Sequence, residues 1–196
     1  MQVMAYSDQE LIQNYLNGDD RSFETLLNRH KTKIYTSIYL FTRDSEAAED
    51  IFQEVFIKII DTLRKGNYNH EGKFLQWAMR IAYNMCVDQF RRSKRNAHVS
   101  TGEAFDVFSI IPSHDDNMEQ YMIKEQGTNH IKSLVDQLPD EQREVVILRH
   151  YADMSFKEIS MLTRVSINTA LGRMRYALIN LRRMMEETNK QFSLVK

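Results

Sequence analysis

Glycine and proline are nearly missing, at six and two residues in a chain of 196. Leu, Ile, Met, Glu, Lys and Arg are plentiful, so few turn formers remain to interrupt long helices and the composition points to an all-α protein. Cysteine occurs once, at Cys86, which excludes an internal disulfide. Its place in a helical pattern suits a small buried residue better than a redox centre. No apolar run approaches the roughly 18 residues of a membrane span. The first residues, MQVMAYSDQELIQ, lack the charged-then-apolar layout of a signal peptide. A cytoplasmic chain without membrane insertion is therefore expected. The six histidines (His30, His70, His98, His114, His130, His150) stand too far apart to form a ligand cluster, and no Glu-x-x-His pair of the carboxylate-metal bundles is present. No nucleophile has a neighbouring base. Neither a catalytic site, nor a metal, nor a cofactor is expected.

Net charge is also nearly absent, at -1, but the signs are segregated. Asp44, Glu46, Glu49, Asp50 and Glu54 fall in a stretch without Lys or Arg, and Arg91, Arg92, Lys94 and Arg95 form a basic cluster soon after. From residue 96 to 128 six acids face the single base Lys124, and from Arg164 to Arg183 there are five arginines and no acid. Such alternation suits more than one kind of partner.

Periodicity divides the chain into helices. Residues 8–17 form a short one with Leu11, Ile12, Tyr15 and Leu16 on one side, ended by Gly18, and Asp20 is placed to cap the next. That second helix carries Phe23, Leu26, Leu27, His30, Ile34 and Ile38 and reaches about Phe41. The third has the clearest stripe: Ala48, Ile51, Phe52, Val55, Phe56, Ile59, Ile60 and Leu63. Its opposite, acidic face admits a solvated surface, helped at its start by the helix dipole, or a partner. After a polar loop from Arg64 to Gly72, a long helix spans Lys73 to Arg95 with a core stripe of Phe74, Trp77, Ala78, Ile81, Ala82 and Met85. Trp77, Tyr83 and Phe90 among Lys73, Arg80, Arg91 and Arg92 also suit a single nucleic-acid strand, since basic groups follow the backbone and each stacked base contributes about 1 to 3 kcal/mol. Phe74 and Trp77 have core packing as their alternative. Residues 96–128 read as a flexible acidic linker, with helix beginning near 117–126. A second domain opens near Asn129 with Ile131, Leu134, Val135 and Leu138, and Pro139 takes the first position of the helix that follows.

Ser155 to Arg183 has the build of a DNA-reading helix pair. Ser155 and Glu158 form a capping box before a short helix whose inward residues are Ile159 and Leu162. Thr163-Arg164-Val165 links it to a second helix capped by Ser166, with Ala170, Met174, Ala177, Leu178 and Leu181 committed to a core. Arg164 falls where many such turns place Gly, at a cost of roughly 1 kcal/mol or more if it turns left-handed. In helix-turn-helix modules the start of the second helix enters the major groove, which here offers Ser166, Asn168, Thr169 and Arg173. A helical hairpin with a solvated basic face is the plainer alternative.

Two patterns then coincide with one family. Residues 44 to 92, as D-x-E-x-A-E-D-I-x-Q-E-V-F-x-K followed by F-x-x-W-x-x-x-I-A-x-N-x-x-x-D-x-x-R-R, closely resemble the second conserved region of bacterial sigma factors. Residues 138 to 183, as L-P-x-x-x-R-x-V-x-x-L-R-x-Y-x-x-x-S-x-x-E-I-S with S-x-N-T-x-x-x-R further on, resemble the fourth. With these two regions and a short linker, the chain resembles an extracytoplasmic-function (ECF) sigma factor over about residues 8–185. The resemblance implies region 2 over 8–95, a linker over 96–128 and region 4 over 129–185.

It also gives each block a task. Asp50, Ile51, Gln53, Glu54 and Phe56 would lie at the clamp helices of the largest catalytic subunit of core RNA polymerase, and region 4 near the flap of the second-largest subunit. Lys73, Trp77, Arg80, Asn84, Arg91 and Arg92 would surround the single strand of the -10 element, whose extruded base costs a few kcal/mol to unstack. Within a helix-turn-helix over 155–176, Ser166, Asn168, Thr169, Leu171, Arg173 and Arg175 would face duplex DNA at the -35 element. The family commonly has G-T-V-K-S-R where this chain has Asn168 to Arg173, so Leu171 and Gly172 replace Lys and Ser. The linker would run through the polymerase cleft and RNA exit path. An anti-sigma protein is a partner common in the family. A stand-alone helix-turn-helix regulator would account for residues 138–183 but leave the acidic and the basic-aromatic helices without a task.

Overall fold

The computed structural model describes residues 6–69, 72–96 and 133–194, apart from the side chains of 93–96 and 189–194. Among the described residues all regular structure is helical, as the composition predicts, and contacts divide the chain into two compact units. The first carries α1 (Asp8–Leu16), α2 (Asp20–Thr42), α3 (Ser45–Arg64) and α4 (Phe74–Asn96). The second carries a helical segment at residues 133–136, then α5 (Asp140–His150), α6 (Phe156–Thr163) and α7 (Ile167–Leu194). The expected linker, a helix near 117–126 and the residues Asn129 and Ile131 lie outside the described residues.

Local chemistry sets the helix ends. Ser7 and Glu10 form a capping box at α1, the Ser7 hydroxyl accepting from the Glu10 amide at 3.3 Å. Hydrogen bonds from Ser7 also hold the Glu10 carboxyl below its ordinary range. Asp19, not Asp20, caps α2, accepting from the Arg21 amide at 3.2 Å; Asp20 is already the first helical residue. Arg43, left-handed at φ 56°, ends α2, and Asp44 at once caps α3 by accepting from the amides of Glu46 and Ala47. One of the five acids of that block is therefore a cap. Pro139 stands one residue before α5 rather than at its first position, and its carbonyl accepts from Gln142 and Arg143.

In the first unit α2 packs on α1, α3 and α4, so its apolar residues are met from three sides. Leu26, Ile34, Ile38, Val55, Ile59, Ala78, Met79 and Ala82 are sealed from solvent, and each large aliphatic among them stabilises the fold by about 1.5 to 3 kcal/mol. Buried His30 ties α2 to α1 through Asp8, Nε2 to Oδ2 at 2.8 Å, while Arg29 grips the other oxygen of the same carboxylate. Leu16 departs from the expected stripe and is exposed. The larger difference is in α4. Alongside Phe74, Ala78 and Ala82, the buried residues are Leu75, Met79, Tyr83 and Cys86, whereas Trp77, Ile81 and Met85 are only half-buried. Contacts with both α2 and α3 cover a wider arc of α4 than one stripe describes.

The second unit is smaller. Leu134, Val135, Leu138, Val145, Ile147, Leu148, Met154 and Ile159 fill it, and α7 closes it with Ala170 and Ala177. Leu178, expected in this core, is exposed. The α6–α7 turn is as the sequence suggests, with Ser155 and Glu158 in a capping box and Arg164 left-handed at φ 59°.

Candidate functional site

Three surfaces collect the residues singled out above. The first is the outer face of α3. Asp50, Gln53 and Glu54 are exposed on it. Ile51 and Phe56 are buried, and the Phe56 ring packs against Phe52 at 4.8 Å, which in turn meets Tyr35 at 5.5 Å. These two residues thus hold the helix rather than offering side chains to a partner. Burial, with smaller contributions from the charge of Glu49 and from Tyr39, pushes the Tyr35 hydroxyl above its ordinary range, so it stays neutral beneath the acidic face. Ile57 is the residue missed. At 62% exposure it follows Asp50, Gln53 and Glu54 at i+7, i+4 and i+3, placing one aliphatic side chain among polar and acidic ones. Its signal was present in the sequence, as an isoleucine lying off the buried stripe.

The second surface runs along α4. Lys73, Trp77, Arg80, Asn84 and Arg91 recur at spacings that keep them on one side, over about 27 Å at 1.5 Å per residue. Lys73, Arg80, Asn84, Arg91 and Arg92 are exposed, with Arg91 3.6 Å from Asp88. Trp77 is half-buried against Tyr68, ring centroids 4.4 Å apart, and Phe74 at 5.8 Å. Tyr68 comes from the loop before α4 and was not foreseen; only folding brings it beside Trp77. Tyr83 is not available to a strand, because it is buried and edge-to-face with Phe41 at 5.6 Å. Phe90 remains exposed. Burial pushes the Cys86 thiol, on the opposite side of α4, up to about 12.

The third surface is the start of α7. Ser166 is used by the backbone, its hydroxyl accepting from the Thr169 amide at 3.0 Å and meeting the Thr169 hydroxyl at 2.8 Å. Asn168, Thr169, Leu171 and Arg175 are exposed. Arg173 is turned away: its side chain is 25% exposed and donates to Glu144 of α5 at 3.4 Å. Its three- and four-residue spacing from the buried Ala170 and Ala177 already marks that side of the helix. Tyr176, which the sequence reading passed over, is 63% exposed next to Arg175. Asn180 donates to Gln142 at 2.8 Å and fixes α7 on α5 a second time.

Comparison with known proteins gives both units a family. Residues 26–96 match the model of sigma-70 region 2, and residues 129–176 match that of sigma-70 region 4. The chain belongs to the sigma-70 family. Among its relatives are the RNA polymerase sigma-H factor of Pseudomonas aeruginosa, 27% identical over 170 residues that cover 85% of this chain and 87% of that one, and the ECF RNA polymerase sigma factor SigW of Bacillus subtilis, 27% identical over 180 residues that cover 90% and 95%. It is accordingly an ECF sigma factor, a DNA-binding protein that directs RNA polymerase to promoters for transcription initiation. Solved structures share its fold, two of them bound to a partner. Among them are the sigma factor RpoE of Bartonella quintana in complex with the anti-sigma factor NepR (TM-score 0.63, 18% identity, 85% of this chain and 98% of that one), and CnrH in complex with the cytosolic domain of CnrY (TM-score 0.58, 21% identity, 93% and 99%). No described helix of this sigma factor is long and apolar enough to cross a membrane. Among the described residues no group of three His, Cys, Asp or Glu side chains could hold a metal ion.

Proposed function

We propose that the three surfaces meet three parts of one transcription-initiation complex. Asp50, Gln53 and Glu54 on α3, with Ile57 one turn further along, dock on the clamp helices of the polymerase's largest catalytic subunit, and Ile51 and Phe56 hold that face rigid from within. The exposed side of α4, from Lys73 through Arg80 and Asn84 to Arg91 and Arg92, follows the non-template strand at the -10 element. The Tyr68–Trp77 pair supplies the ring face on which an unstacked base rests. In the second unit, Asn168, Thr169, Leu171 and Arg175 face the -35 duplex, Ser166 sets the helix start, and Arg173 is a positioning residue acting through Glu144. Residues 8–95, 96–128 and 129–185 are then region 2, linker and region 4, with the linker passing through the polymerase cleft and region 4 resting near the flap of the second-largest subunit.

The observation that supports this reading most is the separation of charge by face: an acidic patch with one aliphatic side chain on α3, against basic side chains and rings on α4 and α7. A single DNA ligand would use only the latter two. The chain itself contributes no catalysis and works in the cytoplasm, where its polymerase is. An anti-sigma protein is a further partner, supported by the two complexes whose folds it shares.

Run-off transcription on fragmented genomic DNA with sigma-free core polymerase tests the proposal. New start sites that depend on the chain are expected, with two upstream elements in common. Absence of new starts, together with tight duplex binding by the chain alone, would favour a stand-alone helix-turn-helix regulator.

A further inference from the structure

Asn168, Leu171, Gly172 and Arg175 follow one another at i, i+3, i+4 and i+7, and so share one face of α7. The middle of that face is unlike its ends. Leu171 is 44% exposed, and a Cβ built on Gly172 meets nothing within 4 Å, so the surface beside this exposed aliphatic side chain is open. Leu171 also borders a groove with Phe156, Met174, Leu178 and Ile179, but the charge around it favours a nucleic acid as occupant. No acid occurs between Arg164 and Arg183, and Arg164, Arg175, Arg182 and Arg183 are all exposed.

A leucine side chain makes no hydrogen bond. Of the groups that base pairs display in the major groove, only the C5-methyl of thymine offers it an apolar surface. We infer that Leu171 is a specificity-determining residue that packs on a thymine methyl of the -35 duplex, which the missing side chain of Gly172 lets come close. The inference rests on the reading of Asn168 to Arg175 as the duplex-facing surface. Under it the -35 element holds a thymine at one defined position, flanked by the bases that Asn168 and Arg175 address.

The test uses the full chain with core polymerase on a promoter mapped by run-off transcription, its -35 thymines replaced one at a time by deoxyuracil. This exchange removes the methyl group and keeps every hydrogen-bonding atom. One position should lose about fourfold in binding, the worth of one buried methylene-sized group. Leu171→Ala should bind the thymine and uracil promoters equally, and Gly172→Ser, which puts a side chain on the open surface beside Leu171, should also blunt the difference. Indifference of the unsubstituted chain to uracil at every position would overturn the inference while leaving the duplex reading intact. An equal loss in Leu171→Ala would assign the methyl contact to another residue and overturn it too. Weakened binding of Leu171→Ala to core polymerase, with unchanged promoter discrimination, would make the patch a protein contact instead. If replacing the whole -35 duplex leaves binding unchanged, the duplex reading fails and the inference with it.

Discussion

Region 2 and region 4 place their outer faces on very different foundations. In region 2 the acidic face of α3 and the basic side of α4 stand outside a core closed by large residues such as Leu26, Ile34, Ile59 and Met79. In region 4 one helix, α7, both closes a smaller core with Ala170 and Ala177 and presents the outer face. Outer-face positions of region 2 such as Gln53, Glu54 and Arg80 thus lie on helices whose other sides close the core. In region 4 the outer face and the core are tied together through Arg173 to Glu144 and Asn180 to Gln142.

Core truncation should separate the units most. Ile147→Ala removes a fully buried side chain at a cost of about 2 to 5 kcal/mol. The whole stability of a unit of this size is only about 3 to 8 kcal/mol. Amide exchange should show residues 133–188 losing protection and -35 binding should vanish, while core-polymerase affinity through region 2 persists. Ile59→Ala, of equal intrinsic cost, should leave region 2 folded. If both variants unfold their units alike, the contrast between the regions is lost.

The next effect belongs to an outer face alone. Glu54→Lys should weaken core-polymerase binding by about tenfold or more, because it sets like charges against each other. Its melting temperature should not move. Full affinity would remove α3 from the polymerase contact.

Region 4 offers a finer comparison between two arginines. Arg175→Ala should weaken -35 binding by on the order of 1 to 3 kcal/mol if it reads a guanine, without loss of stability. Arg173→Ala should instead cost about 0.5 to 1 kcal/mol of stability, with the coupling visible in a double-mutant cycle with Glu144→Ala. An Arg173 variant of normal stability that no longer discriminates -35 sequences would restore it to the base-reading set.

Smallest of all is an effect at Cys86. Burial pushes its thiol up to about 12, against an ordinary value of about 8.5. The native chain at pH 8 should therefore react with a thiol reagent far more slowly than the denatured chain. The sign for stability follows: this contribution is complete below the unfolded pKa and falls as pH rises from there toward 12. Rapid native labelling would contradict a sealed α4 core.

Most of this organisation could be read from spacing and charge, and the misreadings have definite causes. A single 3.6-residue stripe describes α3, which shows one broad side to the core. It fails for α4, where α2 and α3 together cover Leu75, Met79, Tyr83 and Cys86 as well. Residue type alone made Tyr83 a stacking ring and Arg173 a base reader, whereas direction decides both. Tyr68 came to Trp77 through the fold, which no local window contains.

Arg164 has a consequence for engineering. An L-residue in the left-handed turn costs about 1 to 2 kcal/mol, and glycine there would avoid this while giving back about 0.5 to 1 kcal/mol in unfolded-chain entropy. Arg164→Gly is then a one-residue margin of up to about 1.5 kcal/mol in the smaller unit. A library that randomises Asn168, Leu171, Gly172 and Arg175 to redirect promoter choice would tolerate more destabilising combinations if built on that background. Part of the repertoire of DNA sequences this protein could be taught to read is thus set by a turn that touches none of those four positions in sequence.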